Sequence, residues 1–93
     1  MIKSFQDSEN QRVFSGIKSR KLPDSIQNMA RRKLRMLDHA HVIEDLRIPP
    51  GNRLEHLSGN LQEFWSIQIN IQWRIIFKWI EREAHDVRII DYH

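Results

Sequence analysis

Two stretches of strict alternation between large apolar and polar residues constrain the fold of this chain more than any other feature. In the first stretch, Trp65, Ile67 and Ile69 occupy every other position. The second stretch carries four large apolar residues at the same spacing: Trp73, Ile75, Phe77 and Trp79. Because successive side chains of a strand point to opposite sides, this period of two predicts adjacent strands of an antiparallel sheet buried on one face.

The rest of the sheet is predicted from shorter signals. Residues 2–5 alternate in the same way and predict a first strand, and residues 53–57 predict a short strand before the two long ones. Residues 84–93 supply the last strand, after a charged turn at residues 81–83. The tight turn between the alternating strands falls at residues 70–71, although the isoleucine there is a poor residue for a positive φ.

Two helices are predicted in the first half of the chain. Ser8 is a candidate N-cap for a helix that turns Val13, Phe14 and Ile17 inward. A second helix begins with a proline in its first turn and covers about residues 23–39. Its buried stripe follows the i, i+3, i+4 spacing: Ile26, Met29, Ala30, Lys33, Leu34 and Leu37. We therefore expect an α+β fold with two N-terminal helices packed on one face of a small antiparallel β-sheet.

Composition limits the classes of protein to which the chain can belong. Its 93 residues are enough for one domain, so we expect residues 1–93 to form a single domain. The absence of cysteine excludes a disulfide framework and a thiolate zinc site. No apolar run approaches the length of a membrane span or of a signal peptide, so we expect a cytoplasmic protein without membrane association.

Charge is distributed unevenly along the chain. Residues 1–39 carry nine basic and four acidic side chains, whereas residues 40–93 carry six basic and eight acidic ones. A basic half favours a polyanionic partner, because each neutralised phosphate releases counterions. A solvated helix surface explains the same charges equally well, so charge alone leaves both interpretations open.

The face of the sheet opposite the tryptophans is the predicted functional surface. It would carry mostly polar and cationic side chains: Ser66, Gln68, Gln72, Arg74 and Lys78. Open sheets that combine basic side chains with aromatic rings are typical of RNA-binding proteins, and Tyr92 can supply a ring. We therefore predict a polar, cationic concavity with no helix over it.

The final three residues, Asp91-Tyr92-His93, carry the chemistry of the predicted site. RNA is cleaved without a metal when the ribose 2′-OH attacks the adjacent phosphate, which requires a base, a cation and an acid. His93 can serve as acid or base near neutral pH, and Asp91 can orient it or take the proton itself. Arg74 offers a planar fork that matches phosphate oxygens. Side chains from adjacent strands can converge in this way.

Structural explanations compete with these roles. Arg74 can simply pair with Glu63 or Asp91 across the sheet, and a terminal histidine is more often a solvated tail than a catalyst. His39 and His41 form a weak metal-binding pattern without a third ligand nearby, so solvation is the favoured interpretation and no metal site is expected.

In its motifs and their order, the chain resembles the HigB-type toxins of the RelE/ParE superfamily, the toxin halves of bacterial toxin–antitoxin pairs. The resemblance covers essentially the whole length. It rests on eight short fragments: Met1-Ile2-Lys3-Ser4-Phe5, Arg32-Lys33-Leu34, Leu37-Asp38, Pro49-Pro50-Gly51-Asn52-Arg53-Leu54-Glu55, Leu57-Ser58-Gly59, Trp65-Ser66-Ile67, Gln72-Trp73-Arg74-Ile75 and Asp91-Tyr92-His93.

This resemblance implies a RelE-like fold and a ribosome-dependent endonuclease that cuts mRNA in the ribosomal A site through the 2′-OH route, without a metal or cofactor. By position, Arg74 is similar to the phosphate-stabilising arginine, and Asp91, Tyr92 and His93 to the C-terminal catalytic group. Glu55 stands where some relatives have a histidine, which implies either a substitute base or an ion pair with a neighbouring arginine. Four more residues are candidates for RNA binding: Arg53, Gln68, Gln72 and Lys78.

The resemblance also implies partners and an alternative activity. The expected partners are a helix-turn-helix antitoxin similar to HigA, the ribosome with its mRNA, and operator DNA through the antitoxin complex. The same superfamily includes ParE-like toxins that poison DNA gyrase without being enzymes, although gyrase poisoning needs no acid–base set. A DNA-binding repressor that uses the basic second helix ranks last, because no helix-turn-helix pairing is evident.

Overall fold

The two alternating stretches form neighbouring strands of a four-stranded antiparallel sheet in a computed structural model that describes residues 1–92. Along the chain the sheet order is β1-β2-β3-β4, with these bounds: β1 Glu55–His56, β2 Phe64–Gln68, β3 Trp73–Ile80 and β4 Glu83–Asp91. Helix α1 spans Ser8–Phe14 and helix α2 spans Asp24–His39. Three short 3-10 turns lie between α2 and β2: Ile43–Arg47, Pro50–Asn52 and Gly59–Leu61. The expected α+β architecture is confirmed.

Both helices pack on the tryptophan-bearing face of the sheet. The fully buried Leu34 and Leu37 of α2 join Ile67 and Phe77 in one apolar cluster, against which the three tryptophans pack while staying partly exposed. Burial of such side chains stabilises the fold by about 1.5–3 kcal/mol each. The core is therefore a single layer between the helices and one sheet face, as the alternation predicted.

Two residues that were expected inside lie on the surface. Ile17 is 49% exposed because α1 already ends at Phe14 and Gly16 turns the backbone with a φ of +83°. Met29 is 39% exposed, so the buried stripe of α2 is narrower than predicted. Buried residues of α2 are then spaced mostly by four: Ile26, Ala30, Leu34 and Leu37.

The helix starts differ from prediction by one residue each. Asp7, and not Ser8, is the N-cap of α1, since its Oδ1 accepts a hydrogen bond from the backbone N–H of Asn10 at 3.0 Å. Pro23 is the N-cap of α2 and lies just before its first turn. The carboxylate of Asp7 takes the capping role expected of Ser8, and the fixed φ of Pro23 places this residue just before α2.

The N-terminal segment is not a strand of the sheet. It runs along the free edge of β4 through two isolated parallel bridges, Ile2 with Ala84 and Phe5 with Val87. The backbone N–H of Ile2 donates to Asp38 of α2 at 2.8 Å, which fastens this segment to the helix layer. The strand expected over residues 53–57 is likewise shortened to β1, because Arg53 adopts a left-handed φ of 46° that breaks the extended chain.

The two hairpin turns are stabilised in different ways. Between β2 and β3, Oδ1 of Asn70 accepts from the backbone N–H groups of Gln72 and Trp73, each at 2.8 Å. This side-chain turn leaves Ile71 96% exposed on the loop tip. Between β3 and β4, Glu81 and Arg82 both take positive φ angles of 50° and 68°, as a two-residue hairpin turn requires.

Across residues 1–92, neither helix has the length and apolarity that crossing a bilayer demands.

Candidate functional site

The register of the sheet determines which side chains share the face away from the helices, called here the polar face. Glu55, Ser66, Ile76 and Arg88 lie directly opposite one another across all four strands. In the next row, Gln68 pairs with Arg74 and Arg74 with Ile90. Residues opposite each other in antiparallel strands project to the same side, so Arg74 has Glu55 and Ser66 as close neighbours.

Arg74 is the most constrained charged residue of the polar face. It is 8% exposed, and its Nη2 donates to the backbone carbonyl of Arg53 at 2.7 Å. Nη1 lies 3.8 Å from Oε2 of Glu55, and the guanidinium carbon lies 5.2 Å from the ring centroid of Tyr92. Its buried Nε has no hydrogen-bond partner within residues 1–92. The guanidinium is thus fixed in place while one donor remains unused.

A buried asparagine positions the loop that holds Arg74. The side-chain amide of Asn52 donates to the carbonyl of Leu46 and to the sulfur of Met36, both at 3.0 Å. Nζ of Lys33 in α2 donates to Oδ1 of the same asparagine. Desolvation and the neighbouring charge of Arg32 lower the pKa of Lys33 below its usual range. Sequence reasoning missed this anchor, although the run Pro-Pro-Gly-Asn marked an unusual loop.

The polar face is not the open concavity that the alternation predicted. Ser66 and Ile76 are fully buried and Arg74 nearly so. Arg74 is covered by long-range contacts, because the carbonyl of Arg53 and the ring of Tyr92 lie against its guanidinium. The accessible part of the site is its margin, where the side chain of Glu55 is 50% exposed and Tyr92 is 36% exposed.

The C-terminal group divides between the two faces of the sheet. Asp91 pairs in register with Trp73, so its side chain leaves the sheet on the tryptophan side, and the expected convergence of Asp91 with Arg74 on one face is wrong. Its Oδ2 accepts from Nε2 of Gln72 at 3.0 Å at the end of the sheet. Among the described residues of this group, Tyr92 reaches Arg74. His93 lies outside the described residues, so its role stays a prediction.

The other candidate RNA-binding residues lie only partly around Arg74. Lys78 lies between two carboxylates, 3.8 Å from Glu63 and 3.3 Å from Asp86, with its Nζ 5.5 Å from the ring centroid of Phe64. Glu63 therefore pairs with Lys78, and the partner of Arg74 is Glu55, one of the two ion pairs expected for that carboxylate. Arg53 and Gln72 are exposed near Arg74, and Gln68 is its cross-strand neighbour.

The grouped side chains are suited to chemistry on a phosphodiester. A guanidinium in a site of low polarity stabilises charge that develops on phosphate oxygens, and a carboxylate beside it can accept a proton. Among residues 1–92 there is no cluster of three or more histidine and acidic side chains close enough to hold a metal ion. The guanidinium of Arg74 and the carboxylate of Glu55 can serve electrostatic and acid–base catalysis.

Comparison with known proteins assigns the chain to a family. The family model described as "RelE-like toxin of type II toxin-antitoxin system HigB" matches residues 3–93. The chain belongs to the HigB-like toxin family. Toxin HigB-1 from Vibrio cholerae serotype O1 is 46% identical over 85 residues, which cover 90% of each chain. Endoribonuclease HigB from Proteus vulgaris is 29% identical over 93 residues and the whole of both chains.

Solved structures agree with the fold. A crystal structure of a YafQ mutant from E. coli matches with a TM-score of 0.64 at 14% sequence identity and covers 98% of this chain and 93% of that one. The RelE-like α+β fold and the resemblance to HigB-type toxins are therefore confirmed. As the toxin of a toxin–antitoxin system, this HigB-like chain has an antitoxin as its partner.

Proposed function

We propose that this HigB-like toxin is a ribosome-dependent endoribonuclease that cleaves mRNA in the ribosomal A site without a metal. The ribose 2′-oxygen bonds to the adjacent phosphorus while the bond from phosphorus to the 5′-oxygen breaks. The products are a 2′,3′-cyclic phosphate and a 5′-hydroxyl. The family assignment and the name of the Proteus vulgaris relative, an endoribonuclease, support this reaction.

The guanidinium of Arg74 is the observation that carries the proposal. It is buried and held by the carbonyl of Arg53, the carboxylate of Glu55 and the ring of Tyr92. A charge that is already oriented and desolvated stabilises a transition state without reorganising, which makes this the largest single contribution in many enzymes. The phosphate would approach along the exposed margin formed by Glu55 and Tyr92.

The remaining roles follow from the chemistry of each side chain. Glu55, next to the guanidinium, accepts the proton of the 2′-OH. The leaving 5′-oxygen receives a proton from His93, the acid of the C-terminal group. Tyr92 keeps Arg74 in position through its ring, and Arg53, Gln68, Gln72 and Lys78 contact the RNA backbone. No cofactor takes part.

The partners follow from the same proposal. The antitoxin is a helix-turn-helix protein similar to HigA, and operator DNA is bound through the toxin–antitoxin complex. The toxin acts in the cytoplasm on translating ribosomes. Its basic first half, with nine lysine and arginine residues among residues 1–39, suits the ribosomal RNA that lines the A site.

Cleavage on programmed ribosomes tests the proposal. Purified toxin is added to ribosomes stalled with a defined codon in the A site, and cuts are mapped by primer extension. We expect cuts inside that codon with a 5′-hydroxyl on the downstream fragment. An intact message, together with induction of the SOS response in cells that express the toxin, would contradict the proposal and support gyrase poisoning instead.

A further inference from the structure

A groove separate from the Arg74 site opens on the polar face, on the far side of Ile76 from Arg74. It is called here the second groove. It has a volume of about 420 Å³ and is lined by five residues: Phe5, Gln6, Phe64, Asp86 and Arg88. Phe64 pairs across the sheet with Lys78, and Arg88 pairs with Ile76, so both project to this face. The groove therefore shares a surface with the Arg74 site and lies one row of residues away from it.

Two buried donors beside this groove lack partners. Nε of Arg88 and Oγ of Ser66 are inaccessible and make no hydrogen bond to any residue in the described part of the chain. Ser66 and Arg88 flank Ile76 in the same row of the sheet. A desolvated donor without an acceptor is costly, so unsatisfied groups of this kind call for an explanation. Ser66 is fully buried, whereas Arg88 lines the groove, so a ligand that brings acceptor oxygens can bind the guanidinium of Arg88.

The walls of the groove combine an aromatic ring with the guanidinium of Arg88. Nζ of Lys78 lies 5.5 Å from the ring centroid of Phe64, and its charge is offset by Asp86 at 3.3 Å and Glu63 at 3.8 Å. Arg88 forms no ion pair with any residue in the described part of the chain, so its guanidinium is the cationic group that remains for a ligand. An aromatic face next to arginine and lysine is the usual platform for a nucleotide of single-stranded nucleic acid.

We propose that this groove binds the nucleotide adjacent to the scissile phosphate, with its base stacked on Phe64 and a phosphate or carbonyl oxygen accepting hydrogen bonds from Arg88. The proposal rests on the endoribonuclease function. It extends the site from one phosphate at Arg74 to two successive nucleotides along the polar face. Stacking tolerates any base, so the groove contributes affinity and register more than base identity.

Nuclear magnetic resonance on the intact toxin tests the groove directly. Protein labelled with ¹⁵N is titrated with a trinucleotide whose 2′-hydroxyls are methylated, which prevents cleavage. We expect the Nε–H signal of Arg88 to shift in a saturable way. Phe64→Leu and Arg88→Lys should each weaken binding by roughly tenfold, while the control Arg47→Lys, at an exposed ion pair with Glu44, should bind as wild type does.

The possible outcomes test the groove proposal separately from the nuclease proposal. An unmoved Arg88 signal at saturating RNA, or wild-type affinity in Phe64→Leu with an unchanged melting temperature, would overturn the groove even if ribosome cleavage stands. A shifted Arg88 signal that Phe64→Leu weakens supports nucleotide binding in the groove. If programmed ribosomes are then not cut, the placement of that nucleotide next to a scissile phosphate is overturned together with the nuclease. Thermal melts of each variant exclude loss of folding as the cause.

Discussion

At the scale of single residues, Arg74 owes its position to contacts that are distant in sequence. Its guanidinium is held by the carbonyl of Arg53 and by Glu55 from β1, and covered by Tyr92 from the end of β4. An arginine buried to 8% exposure would be costly if it were unpaired, and each of these contacts offsets part of that cost. The guanidinium is therefore oriented in the absence of any ligand.

Replacing Glu55 separates its two possible roles. Because the side chain is 50% exposed, its ion pair with Arg74 should contribute less than about 1 kcal/mol to stability. As the general base it should matter far more, so we expect Glu55→Gln to lower the single-turnover cleavage rate by about 10²–10⁴ with a nearly unchanged melting temperature. Glu63→Gln, which breaks a comparable exposed pair with Lys78, is the matched control. Equal cleavage by both variants would show that Glu55 is only an ion-pair partner.

Sequence reasoning predicted part of this site. Alternation placed Arg74 on the polar face, and the charge of Glu55 next to an arginine was foreseen as an ion pair. The burial of Arg74 was not predicted, since it depends on a loop 21 residues away in sequence. The face of the sheet to which Asp91 points was also not predicted. It follows from the cross-strand register with Trp73, which the sequence of a single strand does not reveal.

At the scale of elements, the loop before β1 links the helix layer to the site. Asn52 is fully buried and bonds to Leu46, Met36 and Lys33, so it holds the end of the Pro50–Asn52 turn against α2. The next residue, Arg53, then directs its carbonyl to Arg74. A change in this loop should therefore affect both stability and catalysis.

We expect Asn52→Ala to lower the free energy of unfolding by about 1–3 kcal/mol, because it removes buried hydrogen bonds and leaves the carbonyl of Leu46 without that donor. Urea denaturation measures the change, and Asn60→Ala at an exposed position is the control. Cleavage should fall in Asn52→Ala even at temperatures where the variant is folded. A stability equal to that of Asn60→Ala would rule out the anchoring role.

The Ile43–Arg47 turn provides a prediction about pH. Oδ2 of Asp45 accepts hydrogen bonds from the backbone N–H groups of His41 at 2.9 Å and Val42 at 3.3 Å, and these bonds lower the pKa of Asp45 below 3.8. The carboxylate therefore adds stability above pH 3.8 that is lost as the pH falls through the depressed pKa of the folded state.

We expect the stability difference between wild type and Asp45→Asn to be largest near neutral pH and to shrink steadily below a pH of about 4. Denaturant titrations at a series of pH values measure this difference. A difference that stays constant down to the most acidic conditions would mean that the charge of Asp45 contributes nothing through these backbone bonds.

The elements themselves were predicted with uneven success. The central strands follow from alternation because one buried face imposes a period of two on Trp65 to Ile69 and on Trp73 to Trp79. The N-terminal segment shows the same pattern but pairs only through isolated bridges at the edge of β4. The exposure of Ile17 depends on where α1 ends, which Gly16 decides.

At the scale of the whole molecule, the sheet separates stability from chemistry. One face carries the core shared with both helices, and the other carries Arg74, Glu55 and the second groove. Such a division lets the polar face keep buried donors at Ser66, Arg74 and Arg88 that have no partner among residues 1–92, while the apolar core maintains the fold.

The cleavage rate of Arg74 variants on programmed ribosomes is the most direct test of this account. Single-turnover rates are compared for wild type, Arg74→Lys, Arg74→Ala and the exposed control Arg47→Lys, with melting temperatures measured alongside. We predict that both Arg74 variants cleave about 10²–10³ times more slowly while the control keeps the wild-type rate. Cleavage at the wild-type rate by folded Arg74→Ala would contradict the central role of this guanidinium.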